Sequence, residues 1–262
     1  MNSDKQRLDA RLKQNLNLDL GRAVDHCFAT FKKTFLLNGL ILFVVMLLIF
    51  TPTMFFMLQE IGPLGDDQAA IAQYMTEMTS SPQFLLGSVV VGVLLSPLFA
   101  GFVKLNRDVE TLDEVSMNNV FQVYASPKLI PIVIYTLIST LILGVLNYYL
   151  TVVLGLQFAG SLLNYVFQFF LCLTIPIIIF TNVNALEAIA YSFKFVAKKP
   201  LYVLGCLAIS YAISFLGIFG FCIGIFFTLP IVYTMQYVLF DHLIGFKEDI
   251  ENPASDFENA LN

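Results

Sequence analysis

Six apolar stretches, each about twenty residues long, run through this chain at 36–58, 84–103, 129–153, 161–180, 201–217 and 221–243. A helix needs roughly 20 predominantly apolar residues to cross the hydrocarbon layer of a bilayer. A backbone inside that layer must satisfy its own hydrogen bonds, so each stretch reads as a spanning helix. Residues 201–240 hold no charged side chain at all. At about 1.5 Å per residue they are long enough for two crossings, with Gly217 and Gly220 marking the turn.

The basic residues orient these spans. Of fourteen Lys and Arg, seven precede the first stretch, from Lys5 to Lys33. Lys104, Arg107 and Lys128 lie between the second and third, Lys194, Lys198 and Lys199 between the fourth and fifth, and Lys247 follows the sixth. The three alternate connections hold none. Cytoplasmic loops carry the Lys/Arg excess, so the pattern predicts six passes through the bacterial cytoplasmic (inner) membrane with both termini inside.

Only 13% of the residues are charged and 58% are hydrophobic. Soluble domains carry about 25% charge, so this chain cannot cover a water-facing surface in the ordinary way. The net charge of -5 comes from two places: Glu60, Asp66, Asp67 and Glu77 in the outer connection, and Glu248, Asp249, Glu251, Asp256 and Glu258 in the tail. The rim between them is basic, as suits a surface beside anionic lipid. No basic patch points to nucleic acid. The organisation predicted is a polar cytoplasmic segment at 1–18, a six-helix membrane domain at 19–246 and an acidic cytoplasmic tail at 247–262. The first stretch exceeds a signal-peptide core of about 7–15 residues and reads as an uncleaved helix. Cys27, Cys172, Cys206 and Cys222 have no metal-ligand spacing and read as small apolar side chains.

The inner connections repeat. Leu20, Ala23, Val24, Cys27, Phe28 and Phe31 follow helical spacing; so do Met117, Val120, Phe121 and Tyr124, and again Leu186, Ile189, Ala190, Phe193 and Ala197. Asn184 with Glu187 matches a capping box with Asn as the cap. Each stripe ends at a junction, Lys32-Lys33, Pro127-Lys128 or Lys198-Lys199-Pro200, that opens an odd-numbered span. Each even-numbered span holds an interior proline, Pro97, Pro176 or Pro230, predicted to kink it and free a carbonyl. The fold class is therefore an all-α membrane protein of six transmembrane helices, built as three repeated hairpins, each preceded by a cytoplasmic interfacial amphipathic helix.

Ala188, Ser192, Lys198-Lys199-Pro200, Leu216-Gly217, Gly220, Gly224, Thr228-Leu229-Pro230, Tyr233 and Tyr237 form one set of motifs. Ser96-Pro97-Leu98-Phe99-Ala100-Gly101 and the Phe121 segment form another. Together they resemble a broad bacterial group of six-pass proteins over roughly residues 20–246. That group includes the membrane domain attached to some glycerophosphoryl diester phosphodiesterases. The resemblance implies a fold and a membrane location. It implies no catalytic residue, because the phosphodiesterase chemistry sits in a soluble domain with no counterpart in these residues.

Chemistry-bearing residues are few. The chain has two histidines, His26 and His242. Asp241 and His242 form one candidate acid/base pair, set against a snorkelling role at the inner end of the last helix. A lipid-headgroup enzyme would require His26 and His242 to meet each other and a carboxylate. No catalytic set, cofactor site or metal site is predicted, and no ionisable residue falls near the centre of a span, which argues against proton coupling. Asn147, Gln157, Asn164 and Gln168 are a candidate polar cluster around the third-to-fourth connection, either bonding between helices or facing the outer interface, or lining a polar substrate site. Ser88, Gly92, Ser96 and Ala100, then Thr136, Thr140 and Gly144, and then Gly220 with Gly224 predict close helix packing. With no Trp, Tyr148, Tyr149 and Tyr165 are placed at the outer interface, and Tyr124, Tyr191 and Tyr202 at the inner one.

The reading is a non-enzymatic integral inner-membrane protein in envelope upkeep or acting as a partner subunit. Its partners would be membrane lipid and a membrane protein or a second copy of itself. The alternative is a transporter or permease for a small or lipid-like solute, using a cleft between the hairpin repeats.

Overall fold

The computed structural model describes residues 3–65, 67–112, 114–220 and 223–246, without the side chains of residues 64, 79, 80, 82, 85, 151, 152 and 157. Every regular element among these residues is helical. Six helices are long and apolar enough to cross a membrane. Cys222 and the acidic tail from Lys247 lie outside the described residues.

The first stripe and the first span are one helix, α2 (Leu20–Ile61). Lys32-Lys33 does not break it, since lysine is a good helix former and neither Gly nor Pro stands at that junction. Pro52 lies inside α2, so an interior proline is not confined to the even-numbered spans. A short 3₁₀ turn and α3 (Gln68–Ser80) cross the base-free end, with Asp67 capping α3. The second span, α4 (Pro82–Thr111), continues unbroken through Pro97. The second stripe folds as a short α5 (Met117–Phe121) followed by 3₁₀ turn at Gln122–Ala125.

The third span is α6 (Leu129–Tyr148), ending in a π-helical turn at Tyr149–Val153. Here the junction does break the chain, because Pro127 cannot continue a helix. The fourth span is split into α7 (Gln157–Leu171) and α8 (Thr174–Phe180). Pro176 sits in the first turn of α8, where its missing N–H costs least. The predicted capping box is present: Asn184 Oδ1 accepts from Glu187 N at 2.9 Å, and Glu187 Oε2 from Asn184 N at 3.3 Å, opening α9 (Ala185–Lys198). Pro200 opens the fifth span, α10 (Pro200–Leu216). The sixth is split at Pro230 into α11 (Gly224–Thr228) and α12 (Ile231–Leu243).

The two breaks are satisfied by side chains. Fully buried Ser192 of α9 donates to Phe170 O at 2.6 Å and accepts from Leu173 N at 3.2 Å, serving both sides of the α7–α8 break. Near the α11–α12 break, Thr228 Oγ1 donates to Ser214 O at 2.9 Å, and Ser214 Oγ to Thr228 O at 3.3 Å.

The most buried helix is α12, which packs on α2, α4, α8 and α10. At the end of the bundle that carries the Lys and Arg residues, Phe180, Tyr237, Phe240 and Phe246 pack together, with the Arg107 guanidinium 3.8 Å from the Phe246 ring centre. Phe246 returns to this cluster through Gly245, whose φ of 76° is left-handed and suits glycine. Close approach occurs at four glycines: a Cβ at Gly101 would lie 2.2 Å from Val120 O, one at Gly39 2.4 Å from the Phe227 ring, one at Gly217 2.1 Å from Thr228 Oγ1, and one at Gly224, predicted to serve packing, 2.5 Å from Gly217 O. Gly92 and Gly144, predicted to serve packing, have nothing within 4 Å of a built Cβ.

The segment read as a polar leader contains a docked helix, α1 (Ser3–Lys13). Leu8 is buried against the core and Asp4 Oδ2 accepts from Asn182 N at 2.9 Å. Lys5 pairs with Glu187 at 2.5 Å, holding that carboxyl below its ordinary pKa chiefly through the hydrogen bond. Tyr191 therefore does not sit at the interface. It is buried under α1 and donates to Asp9 at 3.0 Å, and burial with that bond pushes its phenol up to about 12.

Candidate functional site

Sequence spacing places His26, Thr30, Thr34 and Asn38 one turn apart on one face of α2. On α4, Asn106 and Glu110 are likewise one turn apart, and α12 brings Thr234, Tyr237, Asp241 and His242 against both. The result is a polar column inside an otherwise apolar bundle, starting at its basic end.

At the mouth, Glu110 gathers three helices. Its Oε1 accepts from Thr30 Oγ1 at 2.5 Å and lies 2.9 Å from His26 Nε2, while Oε2 accepts from the Tyr237 hydroxyl. The other nitrogen of His26, Nδ1, lies 3.3 Å from His242 Nε2 and 3.8 Å from Asp241 Oδ2. His242 Nδ1 in turn meets the Tyr202 hydroxyl at 3.0 Å, so Tyr202 belongs to this network and not to an interface belt. Side chains here keep about a quarter of their surface: 25% for His26, 23% for Glu110 and 26% for Asp241. Arg11 closes the end of α12, donating to Leu243 O at 3.2 Å and His242 O at 3.4 Å. Burial pushes its guanidinium down from the ordinary value, and the Asp241 charge opposes that.

Deeper in, Asn106 Oδ1 accepts from Thr34 Oγ1 at 3.3 Å and Thr234 Oγ1 at 3.0 Å, and its amide donates to Phe102 O at 2.7 Å. The column ends at Asn38, fully buried, whose amide has no hydrogen-bond partner among the described residues. A buried amide of that kind calls for water or a ligand group.

The two histidines, 216 residues apart, thus meet each other and a carboxylate, the geometric condition set for headgroup chemistry. Asp241 and His242 act with His26 and not as a pair alone. His26, Asp241 and His242 each offer one ligand atom within 4.8 Å of the others, although no metal donors stand out in the sequence. Thr30, Thr34, Asn38, Asn106 and Glu110 were missed there too, and their signal was the i, i+4 run of polar residues along the first helix.

A second feature is a cleft of about 800 Å³ between α6, α7–α8, α10 and α12. Leu143, Phe169, Ile175, Leu204, Leu207 and Phe215 make its walls apolar, and Tyr135, Gln168, Tyr211 and Gln236 supply polar atoms. Gln236 Oε1 is buried without a hydrogen-bond partner among the described residues. Three members of the candidate polar cluster, Asn147, Asn164 and Gln168, adjoin one another beside this cleft. Gln168 lines this cleft and donates to Asn164 Oδ1 at 2.8 Å. Asn147 and Asn164 flank Gly160 where α6 meets α7, and the side chain of Gln157 lies outside the described residues. Pro176 adjoins the cleft through Ile175, whereas Pro97 and Pro230 do not line it.

No family model matches the chain, and no curated protein or solved structure matches it either.

Proposed function

We propose that this is a multi-pass protein of the bacterial inner membrane, with both termini in the cytoplasm, that binds a lipid-like amphiphile. The cleft between the second and third hairpins carries this reading. It has the volume of a small-molecule site, mostly apolar walls and few polar atoms, the usual make-up of a ligand pocket. An acyl chain suits the Leu and Phe walls. A hydroxyl or amide donor on the ligand suits Gln236 Oε1, which is costly to leave unpaired in an apolar bundle.

The one-sided basic residues support the orientation. The repeat is supported by α5 and α9, separate helices that lead into α6 and α10; in the first unit the equivalent segment has fused with its span. The motif resemblance to six-pass bacterial proteins points the same way.

The test is to purify the protein in native-lipid particles and identify retained amphiphiles by mass spectrometry, beside Ala208→Trp. Ala208 lines the cleft and is exposed, so the indole obstructs part of it without replacing a buried side chain. One class of amphiphile retained near one per chain, and lost in A208W, is expected. Retention of lipid only in the bulk membrane ratio, unchanged by A208W, would sink the reading. Orientation is checked separately. A single cysteine at Ala72 should react with an impermeant maleimide from the outer face and one at Asn118 should not; the reverse refutes the topology.

A further inference from the structure

We infer that His26, Asp241 and His242 form a binding site for a divalent transition ion of the zinc class at the basic end of the bundle. The argument rests on which ring nitrogens face inward. His26 Nδ1 and His242 Nε2 lie 3.3 Å apart. Two nitrogens bound to one tetrahedral ion at about 2.0–2.1 Å would be about 3.3–3.4 Å apart, the separation this pair already has. Asp241 Oδ2, 3.8 Å from His26 Nδ1, is the third donor of the group, whose ligand atoms all lie within 4.8 Å of one another.

The outward nitrogens are already engaged, as the second shell of a metal site requires. His26 Nε2 lies 2.9 Å from Glu110 Oε1, so Nε2–H donates to that carboxylate and leaves Nδ1 with its lone pair free for a metal. His242 Nδ1 lies 3.0 Å from the Tyr202 hydroxyl, which can accept from Nδ1–H in the tautomer that leaves Nε2 as the ligand atom. A carboxylate behind a ligating imidazole fixes its tautomer and raises its basicity. Glu110 is itself fixed by Thr30 and Tyr237. The imidazoles favour zinc-class ions over Mg²⁺ or Ca²⁺, which take oxygen ligands.

Position and charge agree with this assignment. The donors are half-buried at the end of the bundle that bears the Lys and Arg residues, so an ion can enter from water without crossing the apolar interior. Two carboxylates, Asp241 and Glu110, offset the ion's charge beside Arg11. The ion would join α2 to α12 directly, with α4 and α10 behind them through Glu110 and Tyr202. Three protein donors leave a fourth position for water or a headgroup oxygen, the open form of such sites.

The test uses the full chain with any polyhistidine tag removed, titrated with Co²⁺ and, separately, with Zn²⁺. The wild type should develop the visible absorption of four-coordinate Co²⁺ at one ion per chain, displaced by Zn²⁺, and Zn²⁺ should raise the melting temperature. H26Q, H242Q and D241N should each lose the band or weaken binding more than about 100-fold. E110Q, which reaches the ion through His26 while also holding Thr30 and Tyr237, should weaken it about 10–100-fold while keeping the band's shape. Helical circular dichroism and a single elution peak establish that each variant is folded. Absence of one-to-one binding by the folded wild type overturns the proposal, and so does wild-type affinity in folded H26Q or E110Q. If H26Q and H242Q do not fold, the wild-type titration and E110Q still decide it.

Discussion

Ser192→Ala is the sharpest test of how the fourth span is held. The turn between α7 and α8 separates Leu173 N–H and Phe170 C=O from helical partners, and Ser192 Oγ serves both, at 3.2 and 2.6 Å. The serine is fully buried, so alanine leaves two main-chain groups unpaired where water does not reach. Each such group costs about 1–3 kcal/mol, and together roughly 2–5 kcal/mol. The volume lost is a single oxygen, so the cavity term is small. At about 2–4 °C per kcal/mol for a chain of this size, the melting temperature should fall on the order of 10 °C. Ser210→Ala is the matched control: Ser210 is equally buried but donates at 2.8 Å to Leu207 O within its own helix, so its loss should cost no more than about 0.5 kcal/mol. The chain has no Trp, so melting is best followed by circular dichroism or by elution after heating. A fall of less than about 3 °C in S192A, or equal damage in S210A, would refute the assignment.

Glu110→Ala removes the acceptor shared by Thr30, Tyr237 and His26. The partial exposure of the site tempers the loss to roughly 2–4 kcal/mol, and a Thr30→Val/Glu110→Gln double-mutant cycle should show coupling, additivity being the adverse result. Gly101→Ala drives a Cβ into Val120 O and should destabilise by about 1–3 kcal/mol, whereas Gly92→Ala meets nothing and should be neutral or gain up to about 1 kcal/mol; identical melting shifts would show that α4 and α5 do not touch there. The Glu187 carboxyl is lowered by Lys5, so its contribution to docking α1 is present above the unfolded value of about 4.3 and lost as pH falls through the lower folded value. Hydrogen exchange at residues 3–13, corrected for intrinsic rate, should rise across that acid window in the wild type and be high at every pH in Glu187→Gln; a pH-independent wild type would count against the pairing.

Much of the architecture is written in local pattern. Apolar length sets six spans, the Asn184–Glu187 box starts α9, and Pro200 starts α10, because each needs only neighbouring residues to act. Lys32-Lys33 misleads for the same reason: two charges change what surrounds a helix without changing whether it continues. The site is far less legible, since His26, Glu110 and His242 meet only when α2, α4 and α12 pack together, and no spacing rule joins residues 26 and 242. Traces were nonetheless present. Thr30, Thr34 and Asn38 follow His26 at four-residue steps, and a stripe of polar residues on one face of a spanning helix marks that face as turned to protein. Leu8, Leu12 and Leu16 recur at the same step, which marks residues 1–18 as more than a polar leader.

The basic residues gathered at one end of the bundle also have structural work at the helix ends. Lys198 Nζ donates to Arg11 O at 3.2 Å, Leu12 O at 2.7 Å and Gln14 O, carbonyls at and just beyond the end of α1. Lys128 Nζ donates to Thr181 O at 2.5 Å and Asn182 Oδ1 at 3.1 Å, just past the end of α8, and Lys104 pairs with Asp108 at 2.5 Å. Helix C-termini present unpaired carbonyls and a partial negative charge, so cations are stabilising there. Three of the four connections or termini at this end thus use a lysine or arginine to finish a helix or seat a neighbour. Burial also lowers the Lys128 pKa, which is the opposite of what a freely solvated lysine at a lipid surface would show. The charge asymmetry that reads as a topology signal is therefore also what holds α1, α8 and α12 in place above the histidine pair. A neutral residue at Lys198 or Lys128 would disturb the site through its supporting helices even where the orientation of the spans is unchanged.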